Sequence, residues 1–189
     1  MGETRGQNLA GLKGERVRIR RTKRADLRHL ARWWADHDVM APLLCPEGIR
    51  MTPQEQDRWF RRWCETPGGS CAHYIIVDEH DSPIGEVDYH DLDDIHRRGW
   101  ITLKIGERSL WGKGYAGDAA YTFCKYMFET LGVQELAIEV ALTNSRGLAF
   151  WRKMGFVSYA RGTDYVNMRL RAETFRDRPA GSFYRKKQR

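Results

Sequence analysis

The sequence predicts one domain of mixed α/β class, on three observations. Short runs that alternate apolar with polar residues, the period of a half-buried strand, interleave with longer runs whose apolar residues recur every three or four positions, the period of a helix. The order of these runs is β-α-α-β-β-β-α-β-α-β, with a further strand open in 156–162. No internal repeat and no domain linker divides the 189 residues, a length at which one chain buries one proper core.

Residues 1–14 are polar, carry four glycines and predict a flexible leader. "RVRIRR" (16–21) sets Val17 and Ile19 between arginines, a strand pattern. "TKRADLRHLARWWADHD" (22–38) predicts a helix with Thr22 as N-cap and Leu27, Leu30, Ala31 and Trp34 along one face. Thr52, Pro53 and Glu55 form a capping box with proline at the first helical position, so a second helix runs from there to about Glu65 and stops at "TPGG" (66–69). Strands follow at 73–79 and 84–92, joined by the turn "HDSP", and "DDIHRR" leads to a third at 99–106. From about Lys113 to Leu131 the chain buries Ala120, Phe123, Cys124, Met127, Phe128 and Leu131 on one helical face, and Gly132 ends the helix. A strand at 134–142, a helix at 144–154 stopped by Gly155 and a strand at 164–170 complete the series, and 177–189 is expected to be a flexible tail.

Composition narrows the function classes. Hydrophobic residues make up 41% and there are seven tryptophans, which argues for a folded globule over a disordered chain. No apolar run reaches the roughly 20 residues of a membrane span, and the first residues lack the apolar centre of a signal peptide, so the expectation is a cytoplasmic protein with no membrane contact. Four cysteines without C-x-x-C spacing suit a reducing compartment, and six histidines without H-E-x-x-H or a similar pair predict no metal. The net charge of +7 is concentrated in 16–32 and in the tail. A solvated basic face explains it as well as an anionic cofactor does. A nucleic-acid partner is the least favoured reading, because it rests on those basic segments alone.

Chemistry concentrates at "LWGKGYAGDAA" (110–120), where Gly112, Gly114 and Gly117 precede an amphipathic helix. The stretch has no Walker A spacing. Its G-x-G-x-x-G match lies six residues past the strand, behind a meander, and does not fit a dinucleotide fold. A helix N-terminus nonetheless leaves backbone N–H groups unpaired and carries about half a positive charge, so it receives an anion, and glycines let a phosphate approach the backbone. Lys113 adds a cation.

"WGKGYA" (111–116) resembles the acetyl-CoA pyrophosphate loop, Q/R-x-x-G-x-G/A, of the GNAT superfamily of N-acetyltransferases. It is closest in form to the branch that acetylates ribosomal-protein N-termini and to its polyamine-acetylating relatives. "NSRGLAFWRKMGF" (144–156) is similar to that family's N-x-x-S/A-x-x-x-Y-x-K-x-G-F helix, and "HRRGWITLKI" (96–105) to its central strand. The resemblance covers about residues 15–172. It implies a single GNAT-like domain: a mixed, mostly antiparallel sheet with helices on both faces and a splayed central strand pair. It further implies acetyl-CoA as co-substrate, no metal, and transfer of the acetyl group to a primary amine by direct attack on the thioester.

For the cofactor the resemblance implies the backbone of Leu103, Lys104 and Ile105 along the pantetheine arm, and Gly112, Lys113, Gly114, Tyr115, Ala116 and Gly117 around the pyrophosphate. Asn144 and Trp151 complete this set from the opposite side. The family's catalytic side chains are replaced: Trp100 stands for the glutamate base, Trp151 for the thiol-protonating tyrosine, and Gly147 for the serine of the N-terminal-acetylating branch. Glu86, Asp88 and His90 alternate onto one face of the preceding strand and offer a substitute. His90 titrates near neutrality and is the expected base, with Asp88 orienting it or acting through water. The acceptor is an amine-bearing small molecule, a polyamine or a protein N-terminus, and a homodimer is compatible with the reading. The alternative function is an acyl-CoA-binding module without efficient turnover. The acidic stretch "EVDYHDLDD" (86–94) needs compensating cations, either Arg97 and Arg98 or a cationic acceptor.

Overall fold

The computed structural model of the chain describes residues 11–66 and 69–176. The expected flexible ends at 1–10 and 177–189 lie outside them. Eight strands form one sheet: β1 (Leu12–Lys13), β2 (Arg18–Arg21), β3 (Ala72–Val77), β4 (Pro83–Asp93), β5 (Arg98–Ile105), β6 (Glu135–Ala141), β7 (Val157–Arg161) and β8 (Tyr165–Arg171). Their order is β1-β2-β3-β4-β5-β6-β8-β7, and every neighbouring pair is antiparallel except β5 with β6.

Helices cover both faces, as the resemblance implies. On one side lie α1 (Leu27–Trp34), α2 (His37–Met40) and α3 (Pro53–Phe60), and on the other α4 (Tyr115–Lys125), α5 (Ser145–Lys153) and α6 (Ala172–Arg176). β3 is buried along its whole length, which is why "YIIV" is a continuous apolar run. Alternate side chains divide between the layers. Tyr74 and Ile76 join the α4 side with Phe123, Met127 and Leu136, whereas Ile75 and Val77 pack under Leu30, Trp33 and Trp34. Gly106 turns out of β5 against the Trp33 indole, where a Cβ would stand 2.2 Å from the ring. None of the described helices is long and apolar enough to cross a membrane.

The capping box of α3 forms as expected, with Thr52 N donating to Glu55 Oε2 at 2.7 Å and Glu55 N to Thr52 Oγ1 at 3.3 Å. Gly132 and Gly155 close their helices at φ +70° and +96°. Four expectations are corrected. The helix expected over 22–38 is a short 3₁₀ turn (Arg24–Asp26) followed by α1 and, after a break at Ala35 and Asp36, α2. Thr22 does not cap it, because Oγ1 is buried and hydrogen-bonded to Nδ1 of His73 at 2.8 Å. The helix expected from Lys113 starts at Tyr115, because Gly112 and Gly114 both take positive φ. Within the expected leader, Leu12 and Lys13 form β1 against β2. The strand left open in 156–162 forms as β7, and α6 has no counterpart in the periodicity reading.

The leader is fastened by Asp118, in the first turn of α4 and 1% exposed. Its carboxylate accepts the backbone N–H groups of Glu15, Arg16 and Val17 at 3.0, 2.7 and 3.0 Å. Three charge-assisted bonds, one of them to the buried Val17 N–H, are lost together in Asp118→Ala. We expect that substitution to cost about 2–4 kcal/mol, measured as a lowered urea midpoint at unchanged m. A cost below about 0.5 kcal/mol, the range of ordinary surface changes, would show that this contact does not hold the leader.

Candidate functional site

The site begins where β5 and β6 part. They pair in parallel at Arg98–Glu135, Gly99–Leu136 and Trp100–Ala137, and no further. β5 keeps its ladder with β4 up to Ile105, so beyond Trp100 its other edge is unpaired inside the sheet. The indole Nε1 of Trp111 donates to the Ile105 carbonyl at 2.7 Å, taking an acceptor that a neighbouring strand would otherwise use. The divergence opens a cleft of about 1210 Å³. Every residue the sequence reading assigned to the cofactor borders it, from Leu103–Ile105 through the 112–117 loop to Asn144 and Trp151.

At the cleft mouth the N-terminus of α4 is arranged for an anion. The first hydrogen bond of the helix runs from Asp118 N to Gly114 O, so the N–H groups of Tyr115, Ala116 and Gly117 have no acceptor within it. Gly112 and Gly114 hold φ of +75° and +94°, and a Cβ at Gly112 would meet nothing within 4 Å. Glycine is required here by the turn and by open space for a ligand, not by crowding.

Two cations missed by the sequence reading stand beside Lys113. Arg16 lies over the Tyr115 ring at 4.3 Å and its guanidinium donates to the Lys113 carbonyl, while Arg146 lies over the Trp111 ring at 4.5 Å. Both border the cleft. Arg16 was hidden in the basic run, and Arg146 in an ordinary first turn of α5. The side chains of three expected residues are engaged elsewhere. The Tyr115 hydroxyl donates to Glu79 at 3.2 Å, Lys104 pairs with Glu86 at 2.7 Å, and Asn144 Oδ1 caps α5 by accepting Gly147 N at 2.8 Å.

A second chamber of about 220 Å³ lies at the base of the splay, bordered by His90, Trp100, Thr102, Leu43, Glu139 and Trp151 among others. His90 Nδ1 is 3.1 Å from Asp88 Oδ1, and the ring lies between the edge of Trp63 and the face of Trp100. The hydrogen bond to Asp88 raises the His90 pKa above its ordinary value and outweighs the opposing effect of burial. Glu86 is not part of the chamber. It is 1% exposed and held by Lys104, by His73 Nε2 at 2.6 Å and by Trp34 Nε1 at 2.7 Å. Burial alone would push its pKa up, but the Lys104 charge and the His73 bond hold it well below the usual carboxylate range. Of the three β4 groups offered as a base, Glu86 is therefore committed to structure. Two members of the acidic stretch meet a cation of the protein, Glu86 at Lys104 and Asp93 at Arg98, and Asp93 Oδ2 is also 2.6 Å from His96 Nδ1. Arg97 forms no ion pair among the described residues.

Residues 16–157 match the family described as "Acetyltransferase (GNAT) domain", which is most of the chain. The chain belongs to the GNAT acetyltransferase family. An uncharacterized N-acetyltransferase, p20, of Bacillus licheniformis is 23% identical over 151 residues, 80% of this chain and 84% of that protein. Among solved structures, the spermidine N-acetyltransferase of Vibrio cholerae in complex with CoA and spermine superposes with a TM-score of 0.76 at 18% identity, covering 85% of this chain and 98% of that one. A GNAT-family acetyltransferase of Bacillus anthracis gives 0.69 at 19% identity, covering 86% and 99%. The mixed, mostly antiparallel sheet with its splayed pair is thus the fold of this acetyltransferase family.

The three positions that the resemblance pairs with the family's base, acid and serine have particular surroundings in this chain. Trp100 is the last residue paired across the splay and stacks on His90. Trp151 is packed edge-on by Phe150 and Phe156 at the chamber wall. A Cβ at Gly147 would stand 2.4 Å from Asn144 Nδ2, so serine there would displace the cap of α5. The raised His90 pKa also has a linkage consequence. Its contribution to stability is full below the unfolded histidine value of 6.5 and is lost as pH rises through the higher folded value. We expect the difference in melting temperature between wild type and His90→Gln to be larger at pH 5.5 than at pH 9. A pH-independent difference would contradict the His90–Asp88 pairing.

Proposed function

We propose that the chain transfers an acetyl group from acetyl-CoA to a primary amine. The observation that carries this reading is the unpaired edge of β5, which runs from the His90 chamber to the open N-terminus of α4. The residues present fit the group. The β5 edge at Leu103–Ile105 that β6 leaves unpaired, where Trp111 takes the Ile105 carbonyl, matches an extended amide-bearing arm, and the α4 N–H groups with Arg16, Lys113 and Arg146 match a pyrophosphate. When bound, acetyl-CoA supplies an activated acyl carbon. Overall, the amine nitrogen gains a bond to that carbon and its ammonium form sheds two protons, the carbon–sulfur bond breaks with its electrons on sulfur, and one proton goes to that sulfur while the other is released.

The chain's own groups act around that exchange. His90 takes the proton of the incoming ammonium at its imidazole, with Asp88 orienting the ring and stabilising its charged form. Because the Asp88 bond raises the His90 pKa, the neutral, proton-accepting form gains ground only above the ordinary histidine value. Trp100 and Trp151 exclude water and donate no dissociable proton. Much of the acceleration then comes from holding amine and acyl carbon together. The domain on this reading spans 15–172, and four free thiols suit a reducing cytoplasm.

Two substitutions test the reading. Acetyl-CoA should raise the melting temperature of the wild type by mass action, and Gly114→Glu should abolish that shift. Its carboxylate would occupy the anion position, 3.6 Å from the Arg16 guanidinium at the Cβ alone. A folded Gly114→Glu protein that still binds acetyl-CoA normally would refute the loop assignment. Trp151→Tyr restores a dissociable proton at the chamber wall and should keep kcat at or above the wild-type value. A fall of more than about tenfold, roughly 1.4 kcal/mol, with folding intact, would assign the indole a role beyond packing.

A further inference from the structure

The chamber at the base of the splay has an uneven lining. Among the described residues around it, His90 and Glu139 are the only titratable residues, and apart from Thr102 the others are of apolar type, with Leu43, Trp100 and Trp151 prominent. Strand register fixes where the two stand. Trp100 pairs with His90 on one side and with Ala137 on the other, so the three share a sheet face. Glu139, two residues further along β6, projects from that face too. Because β5 and β6 separate just past Trp100, Glu139 belongs to the wall opposite His90.

Glu139 is exposed and has no hydrogen-bond or ion-pair partner among the described residues. Directly opposite it on β8 is Asn167, whose Oδ1 is buried without a hydrogen-bond partner. Opposed side chains in such a pair start about 5 Å apart, so the Asn167 amide is the cross-strand neighbour of Glu139. The nearby carboxylates differ. Glu86 is held by Lys104 and Asp88 by His90, while Asp36 and Asp38 both meet Arg108 at the rim.

We propose that Glu139 receives the ammonium group of the acceptor, and that the chamber selects a primary monoamine with a compact apolar body over a polycation. This rests on the acetyl-transfer reading above and names its acceptor class. One carboxylate balances one ammonium. Further ammonium groups of a polyamine would be placed against Leu43, Trp100 and Ile101 without a counter-charge, and an unpaired desolvated charge is strongly disfavoured. The same wall rewards an alkyl or aryl body in proportion to the apolar area it covers. Likeness in fold to a protein that binds spermine does not decide the acceptor, because sites vary on a shared scaffold.

The test uses the full chain with 2-phenylethylamine, n-hexylamine and spermidine as probes. Acetyl-CoA binding is first measured by calorimetry, then amine binding to the CoA complex, then steady-state kinetics. We expect kcat/KM for the monoamines to exceed that for spermidine by at least about tenfold, 1.4 kcal/mol in transition-state discrimination. Glu139→Gln, nearly isosteric and exposed, should weaken monoamine binding to the CoA complex about tenfold and raise KM more than it lowers kcat, with acetyl-CoA affinity retained. Leu43→Asp, which adds a second carboxylate to the wall, should move the preference toward spermidine. Preference of the wild type for spermidine, absence of monoamine binding to the CoA complex, or unchanged monoamine affinity in Glu139→Gln would each overturn the proposal while leaving acetyl transfer standing. Failure of the wild type to bind acetyl-CoA would overturn both.

Discussion

Three residue pairs between β5 and β6, followed by separation, are the constraint on which the rest of the molecule depends. A central strand normally satisfies its backbone groups on both sides, and leaving them unpaired inside a sheet is costly. Here β5 remains pinned to β4 over its full length, while β6 is held by β8 at seven positions from Glu135 to Ala141. Each half of the sheet is therefore complete without the other. The gap is a stable feature, and the free edge of β5 is available to a ligand. Because the parallel connection from β5 to β6 must pass through α4, the N-terminus of that helix comes to the open end of the gap. The cleft, the open helix N-terminus and the smaller chamber thus follow from one topological choice.

The two faces of the sheet have different chemistry. The face under α4 is a close-packed apolar core built on Phe123, Met127 and Leu136. The opposite face carries a buried polar chain, Thr22 to His73 to Glu86 to Lys104, with Trp34 as a further donor to Glu86. Each member has its partners, as a low-dielectric interior requires. The chain links β2, β3, β4 and β5 side by side and so fixes the floor of the cleft. It also withdraws Lys104 and Glu86 from the solvent side. Further along β4 and across the gap, the same face carries Asp88, His90 and Glu139.

Much of this was legible in the sequence, and the remainder was not for an identifiable reason. Periodicity marked the long strands and the α4 core face, because burial on one side leaves a repeating trace. Glycines at 112 and 114 marked the anion site, because positive φ and close backbone approach restrict residue choice. Thr22, Asp118, Arg16 and Arg146 left no such trace. Their roles are set by partners far away in the chain, 97 residues in the contact between Arg16 and Lys113, and a polar residue with a distant partner looks like any other. The break between α1 and α2 has a different origin, because its signal is local: Asp36 caps α2 by accepting the Asp38 N–H at 2.9 Å, and only its Arg108 partner is distant. Glu139 was unremarkable within its strand and gains significance only when register places it across from His90.

Trp100, Trp151 and Gly147, which the resemblance sets at the family's base, acid and serine positions, have related surroundings. Trp100 and Trp151 both border the chamber and present indoles to it. Large indoles exclude water from the wall, which strengthens every electrostatic contact of the titratable groups that remain. Those that remain are a histidine bonded to an aspartate on one wall and an unpaired glutamate on the other. Gly147 fits the same pattern. Without a side chain there, Asn144 closes the start of α5 and its Nδ2 reaches the Pro42 carbonyl at 3.5 Å, joining α5 to the segment that bears Leu43. On the acetyl-transfer reading proposed above, proton transfer falls to His90, and the indoles of Trp100 and Trp151 line the space left to the acceptor.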